Sequence, residues 1–224
     1  REHPKKTRAL GVLLLAFAAF QVWFRTPPDE LSPPLAIPRV VDVTRLYPVE
    51  VQRVVRPRST EDVQRLVRRT PGPLCIGGGR FSMGGQTASE DCTQIDMRSM
   101  HRVLALDTTA RTVRVEAGIT WRALQSVLDR HDLSVRIMQT YSSFTVGGSL
   151  SVNVHGRYIG EGPLVRSVEA IRVVLADGSL VDASPTENSE LFYGAIGGYG
   201  GLGVIAEATL SVAPNTPVER VAKA

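Results

Sequence analysis

Two glycine-rich segments of this 224-residue chain are its best candidates for binding a ligand. The first, GGGRFSMGGQ, covers residues 77–86, and the second, TVGGSLSVNVHG, covers residues 145–156. Glycine has no side chain, so its backbone can approach a ligand closely and adopt positive φ angles. Each segment lies next to a strand-like run. Together they predict one extended, phosphate-bearing cofactor that is held at both places.

The first segment does not match the two common nucleotide-binding motifs. No Lys-Ser or Lys-Thr pair follows its glycines, as a Walker A loop requires. Ser82 stands where a Rossmann fingerprint has a later glycine, and no clear helix opens there. What remains is a nest of backbone N–H groups suited to an anion such as pyrophosphate. Arg80 could pair with phosphate or form a surface ion pair, while Ser82 and Gln86 offer neutral hydrogen bonds. A flexible surface loop is the plainer alternative.

The second segment combines a tight bend at residues 145–148 with a short strand or helix start at residues 149–154. His155 closes it, and a lone histidine is more often structural than catalytic. A third glycine cluster, GGYGGLG at residues 197–203, precedes Val204 and could be no more than a packed turn. The sequence pattern leaves these alternatives open.

Regular elements must position the glycine segments. Ser59 is a good N-cap, with Asp62 three residues later, and it follows a strand-like run at residues 49–55. Residues 74–76 form a short buried strand that runs into the first glycines. Strand, helix, strand and glycine-rich loop is an arrangement typical of nucleotide-binding units. Further along we expect a hairpin at 102–106 and 112–116, a helix capped by Thr120, a strand at 166–176, a helix at 188–193 and a strand at 207–212.

Charge and composition exclude several function classes. The formal charge is +4, but the basic residues before position 26 account for the whole excess. No basic stripe with interleaved aromatic residues appears, so we expect no nucleic-acid binding. Cys75 and Cys92 fit neither a zinc pattern nor a disulfide framework and are interpreted as small buried apolar residues. The four histidines are scattered along the sequence and do not have metal-ligand spacing, so we expect no metal site.

The N-terminal residues 1–25 are predicted to be a membrane anchor, with a helix at about residues 9–24. This stretch has no charged residue, basic residues precede it, and Trp23 lies near its far end. A cleaved signal peptide and a misassigned start are the alternatives. The basic flank predicts a cytoplasmic N-terminus, with the body on the non-cytoplasmic side. A proline-rich linker at residues 26–44 would hold the body off the membrane.

Several motifs together resemble the FAD-linked oxidases of the vanillyl-alcohol oxidase and p-cresol methylhydroxylase type. They occur in that family's order and are RPRSTEDV at 56–63, the segment 77–86, VEAG at 115–118, TVGG at 145–148, HG at 155–156, ADGS at 176–179, LF at 191–192 and the stretch 197–205. Each motif is degenerate, but the series, which covers residues 45–214, is quite specific.

The resemblance implies an α+β FAD-binding domain of two subdomains over residues 45–214, with FAD extended between them. The first turn would hold the pyrophosphate, and His155 would lie near the flavin in a supporting or catalytic role. The cofactor-binding residues implied are Ile76, Gly77, Gly78, Gly79, Arg80, Phe81, Ser82, Gln86, Gly118, Thr145, Val146, Gly147, Gly148, Val152, Asn153, His155, Val204 and Ile205.

Two departures from the family pattern matter. Many members carry a histidine in the first turn that is covalently bonded to the flavin, and Phe81 takes that position here. Phenylalanine has no nucleophilic nitrogen, so we expect non-covalent FAD. Members also carry a C-terminal substrate domain, whereas this sequence continues after residue 214 only as a tail at 215–224. We therefore expect a fragment or a truncated product.

The resemblance implies an FAD-dependent oxidoreductase acting on CH–OH donors, in which an alcohol such as a sugar, an alditol or an aldonolactone gives a hydride to FAD. A closer local match of the second segment to decaprenylphosphoryl-ribose oxidases makes a lipid-linked sugar another candidate substrate. The sequence does not identify the electron acceptor. Two alternatives stay open: a non-catalytic FAD-binding module, and a truncated membrane-tethered domain that has lost FAD.

Overall fold

The computed structural model describes residues 38–216. The strands are β1 Arg39–Val40, β2 Val49–Glu50, β3 Arg53–Val55, β4 Leu74–Gly77, β5 Thr93–Asp96, β6 Val103–Asp107, β7 Thr112–Glu116, β8 Leu133–Val135, β9 Val168–Val174, β10 Leu180–Ala183 and β11 Val204–Pro214. The α-helices are α1 Thr60–Arg69, α2 Trp121–Leu128, α3 Val146–Ser151 and α4 Ser189–Ala195. Short 3-10 turns cover Met97–Ser99, Asp129–His131 and Leu164–Ser167. This mixture confirms the α+β class.

A small parallel sheet has the strand order β3-β5-β4. Successive side chains of a strand point to opposite faces, so each strand contributes to two cores. Val55 and Ile76 pack against the main core, whereas Val54 and Cys75 pack against a second cluster around buried Cys92. The antiparallel pair β1–β2 contributes to this second cluster. Because all three strands run the same way, their carboxyl ends lie along one edge of the sheet.

A larger antiparallel sheet has the order β10-β9-β11-β7-β6, and β8 pairs with the end of β11. The long strand β11 lies at its centre and pairs with both β9 and β7. Its inward side chains join the main core with fully buried Trp121 and Phe192. Inside this core, Trp121 Nε1 donates a hydrogen bond of 2.8 Å to Ser149 Oγ, which ties α2 to α3.

Helix α1 connects β3 to β4 and packs against β9 and β11 of the larger sheet. The hydroxyl of Ser59 accepts a hydrogen bond from Asp62 N, which confirms the predicted N-cap. Acidic residues in the first turn and basic residues in the last turn complement the helix dipole. Thr60 Oγ1 donates a 2.7 Å hydrogen bond to the buried carboxylate of Glu207 in β11. This contact fixes the start of α1 against the large sheet.

Some predicted boundaries differ from the structure. The linker predicted to reach residue 44 overlaps β1, where Val40 is buried and pairs with Val49. The strand predicted at residues 49–55 is two strands, β2 and β3, with different partners. The segment 149–154, left open between strand and helix, contains the end of α3, because Thr145 caps a helix there.

No helix within residues 38–216 is both long enough and apolar enough to span a membrane. The predicted anchor helix at residues 9–24 and most of the predicted tail lie outside the described residues.

Candidate functional site

The two glycine segments meet at the carboxyl edge of the parallel sheet. Strand β4 ends at Gly77, and the chain then turns through Gly78 and Gly79. The turn is possible because Arg80 adopts a φ of +59° and its carbonyl accepts a 2.9 Å hydrogen bond from Val43 N. The backbone that follows β1 therefore holds loop 78–80 in place.

Helix α3 brings the second glycine segment to the same place. Thr145 Oγ1 accepts a 3.2 Å hydrogen bond from Gly148 N, which caps the helix. Gly147 N donates a 2.7 Å hydrogen bond to Ala117 O, so this turn lies against the chain that follows β7. A Cβ added at Gly78 would overlap the Thr145 hydroxyl. The two turns therefore pack so closely that only glycine fits at residue 78.

A continuous cleft runs between these turns and the third glycine cluster. Its two parts share Gly78, Ser82, Thr87, Thr145, Gly148 and Val152. One end also contains Gly79, Arg80, Phe81 and Phe144. The other end also contains Ile76, Gln86, Met97, Ala117, Gly147, Ser151, Tyr199, Gly200, Gly203 and Ile205. The cleft thus joins the edge of the parallel sheet to the start of β11.

Aromatic rings close one end of the cleft. Phe81 and Phe144 stack with their centroids 4.5 Å apart, and Tyr141 lies tilted 5.5 Å from Phe81. Pairs in such offset or tilted arrangements add stability beyond the area they bury. The stacked rings of Phe81 and Phe144 give this end of the cleft an aromatic wall, and Tyr141 packs against both rings.

Most of the predicted cofactor-binding residues line the cleft, and six do not. Those six are Gly77, Gly118, Val146, Asn153, His155 and Val204. His155 is exposed, and its Nδ1 lies 3.2 Å from Gly156 O. Gly118 packs instead against the backbone of residues 97–100, where a Cβ would lie 2.6 Å from Met100 O. The Asn153 side chain accepts a hydrogen bond from Val165 N, so it braces a loop.

Sequence reasoning missed eight residues that line the cleft. They are Thr87, Met97, Ala117, Phe144, Ser151, Tyr199, Gly200 and Gly203. One signal could have found Ser151, because residues 147, 148 and 151 share a face at helical spacing. Tyr199 N donates to Ser151 O at 2.9 Å, which holds the third glycine cluster beside α3. Met97 and Ala117 carry no such signal, because packing alone brings them to the cleft.

The buried carboxylate of Asp96 forms an ion pair with Arg80 in the first glycine turn. The Asp96 side chain is 1% exposed and lies 3.5 Å from Arg80 Nη2. Arg98 adds two hydrogen bonds of 2.8 and 2.7 Å to Asp96. Burial opposes the charge of Asp96, but the hydrogen bonds and charges of Arg98 and the charge of Arg80 outweigh it and lower the pKa of Asp96. Arg80 therefore forms a mostly buried ion pair and not a surface one.

We expect Asp96 to make the domain sensitive to acid. Its folded-state pKa is lowered below the ordinary value of about 3.9, so its stabilisation is present above that pH and is lost as the pH falls through the folded pKa. Chemical denaturation between about pH 5 and 3 should show a shallower loss of stability for Asp96→Asn than for the unchanged protein. Equal slopes for the two proteins would show that Asp96 does not contribute to this dependence.

The residues present fit the expected FAD. FAD carries two flat ring systems joined by a pyrophosphate, and the cleft has glycine backbone along its length and the stacked rings of Phe81 and Phe144 at one end. Arg80 is the cation among the cleft-lining residues that the structure describes, and its Nε has no hydrogen-bond partner there. A guanidinium in this position suits the charge of a pyrophosphate.

Comparison with known proteins gives the same assignment. The chain is 32% identical over 164 residues to alditol oxidase from Streptomyces sp. (strain IKD472 / FERM P-14339), which covers 73% of this chain and 39% of that protein. It is 33% identical over 173 residues to L-gulonolactone oxidase from Bos taurus, with coverage of 76% and 39%. It is 31% identical over 179 residues to cytokinin dehydrogenase 4 from Oryza sativa subsp. japonica, with coverage of 72% and 33%.

The chain therefore spans about two fifths of the length of the first two relatives. The family model described as an FAD binding domain matches residues 51–184, which is more than half of the chain. The expected family and cofactor are confirmed by this match, and the chain belongs to the family of FAD binding domains.

Proposed function

We propose that this domain is the cofactor-binding part of an oxidoreductase that removes a hydride from an alcohol carbon of a sugar, an alditol or an aldonolactone. The observation that carries the proposal is the cleft lined by the two glycine turns, where the Thr145 hydroxyl leaves no room for a Cβ at residue 78. The names of the alditol and gulonolactone oxidases to which the chain is similar support the substrate class.

Bound FAD would supply the hydride acceptor, and the protein would supply binding and orientation. Arg80 would pair with the pyrophosphate at the first glycine turn. Ser82 and Gln86 would offer neutral hydrogen bonds beside it. The backbone around Ile205 and Tyr199 would hold the far end of the cofactor. These roles follow from where the residues lie along the cleft.

The experiment uses the full chain purified in a neutral detergent. We expect the visible spectrum of a bound flavin, either directly or after FAD is added. Under anaerobic conditions, xylitol or L-gulono-1,4-lactone should then bleach the flavin if the chain is active alone. A parallel anaerobic sample without substrate is the control and should keep its colour. A protein that takes up no FAD would refute the proposal.

Phe81 gives a separate prediction about the linkage. We expect acid precipitation to release the flavin into the supernatant, because a phenyl ring cannot form a covalent bond to it. The measurement is the absorbance of pellet and supernatant after acid treatment and washing. Yellow colour that stays in the pellet would contradict the non-covalent assignment.

A second candidate is a module that binds FAD without catalysing a reaction. Removing a hydride from an alcohol requires a base that takes the hydroxyl proton. Among the cleft-lining residues that the structure describes, the ionisable side chains are those of Arg80 and Tyr199, and none is a carboxylate or an imidazole that could serve as the usual base. FAD binding without bleaching by any alditol or lactone would favour this candidate. A catalytic base would then have to come from residues outside the cleft lining.

We also propose that the N-terminal segment tethers the domain to a membrane, with the body on the non-cytoplasmic side. The support is the uncharged stretch at residues 9–24 with its basic flank. Protease accessibility in sealed membrane vesicles tests the side. Recovery of the protein from the aqueous fraction after cell lysis would argue against the tether.

A further inference from the structure

A second opening lies at the carboxyl edge of the parallel sheet. Arg56 follows β3, Asp96 ends β5 and the glycine turn follows β4, and the strand order places β5 in the middle. Ligands commonly bind outside the carboxyl ends of parallel strands. The β4 side of this edge forms the FAD cleft. The β3 side forms a separate groove, which we call the arginine groove, with Arg56, Arg58, Arg98, His101 and Arg102 around Asp96.

Buried carboxylates hold two of these guanidinium groups in place. Arg98 donates from Nε and Nη2 to Asp96, and Arg102 donates from Nε and Nη2 to Glu116 Oε1 at 3.1 and 2.7 Å. The side chains of Asp96 and Glu116 are 1% and 2% exposed. A side chain that is already ordered loses less entropy when a ligand binds. The groove is therefore organised before any ligand arrives.

The guanidinium groups keep unused donors. Within residues 38–216, no hydrogen bond occupies Nη1 of Arg98, Nη1 of Arg102 or either terminal nitrogen of Arg56. The side chain of Arg58 forms no hydrogen bond or ion pair within the same residues. The side chains of Arg56, Arg98 and Arg102 are 64%, 49% and 63% exposed, so these donors are open to solvent.

The charge of the groove is positive. Four guanidinium groups lie around two carboxylates, those of Asp96 and Glu116, whereas residues 26–224 as a whole carry equal numbers of basic and acidic side chains. Guanidinium forks match phosphate oxygens, and several forks around one opening suit a group with several oxygens better than a single carboxylate. We propose that the arginine groove is a second anion site, distinct from the FAD cleft, that binds a phosphate-bearing ligand.

The ligand chemistry has two sources, a soluble phosphate compound or the headgroup of an anionic lipid. Calorimetric titration of the full chain, in neutral detergent with excess FAD, distinguishes them with two probes. One probe is inorganic tripolyphosphate, and the other is glycerophosphoglycerol, the water-soluble headgroup of phosphatidylglycerol. Tighter binding of tripolyphosphate assigns a soluble ligand, and tighter binding of glycerophosphoglycerol assigns a lipid headgroup.

Arg58→Gln should weaken binding of the preferred probe about three- to tenfold, as expected for the loss of one exposed charge-assisted contact. Arg130→Gln, an exposed arginine outside the groove, is the matched control and should leave the affinity unchanged. Arg56→Gln is a second test variant. Raised salt should weaken binding to the unchanged protein.

Equal probe affinity in the unchanged protein, Arg58→Gln and Arg56→Gln would overturn the proposal, as would the absence of binding. FAD titration separates this result from the proposed function. A chain that takes up no FAD but binds the probe in an Arg58-dependent way would refute the proposed function alone. Unchanged FAD affinity in Arg58→Gln is expected, because Arg58 does not line the cleft.

Discussion

Replacing Gly148 by aspartate is expected to abolish FAD binding while the domain stays folded. Gly148 is exposed to the cleft, and a Cβ built on it would contact only Thr145 Oγ1, at 3.0 Å. The new carboxylate would therefore extend into the space of the cofactor. Bulk and like charge beside a pyrophosphate should weaken FAD binding on the order of a hundredfold or more. Flavin fluorescence during FAD titration measures this loss.

The fold should tolerate this change because residue 148 lies in the first turn of α3, where an acidic side chain is favourable. The Thr145 cap needs to shift by only a few tenths of an ångström. Ala123→Asp, on the exposed face of α2, adds the same charge away from the cleft and should leave FAD affinity unchanged. Gly148→Ala should have a smaller effect, because it adds bulk without charge. Full FAD affinity in Gly148→Asp would refute the assignment of the cleft.

Replacing Gly118 by alanine is expected to destabilise the domain strongly. Its Cβ would overlap Met97 O and lie 2.6 Å from Met100 O, and both atoms belong to backbone that cannot rotate away. Overpacking of this kind costs about 3 kcal/mol or more at a buried site. The expected change in melting temperature is a fall of about 6–12 °C, since each kcal/mol shifts a domain of this size by roughly 2–4 °C. Urea or thermal denaturation checks it.

The matched control for that variant is Gly201→Ala. Residue 201 is exposed, and its added Cβ would lie 3.3 Å from Gly198 O, a close contact that a small shift relieves. Its stability should stay within about 1 kcal/mol of the unchanged protein. A Gly118→Ala variant as stable as this control, but with weakened FAD binding, would show that Gly118 acts at the cofactor and not in the packing.

Local signals predicted the regular elements well. Ser59 and Thr120 were identified as N-caps, and each accepts a hydrogen bond from the backbone of the helix that follows it. The hairpin of β6 and β7 was also predicted correctly, from the turn residues between its two strands. Caps and turns depend on neighbours in the sequence, so they can be recognised without the fold. The break between β2 and β3 was missed, because it arises from pairing with different distant strands.

The site could be predicted only in part. The glycine turns at Gly78 and Gly148 were found because their composition is unusual in itself. Tyr199 and Met97 were missed, since each reaches the cleft from another part of the chain. Gly118 was assigned to the cofactor from its motif; it does not line the cleft, and a Cβ there would overlap Met97 O. The predicted glycines therefore line the cleft only where the fold exposes their backbone to it.

The sequence by itself determined the family and the cofactor, and it identified glycines that line the cleft, because those features depend on residue type and order. It also determined that charge is balanced over the body of the chain. Only the tertiary structure decided where that charge is concentrated. Arg56 and Asp96 are 40 positions apart, yet parallel pairing of β3 with β5 brings them within 3.3 Å. The arginine groove exists because strands that run the same way end at the same edge.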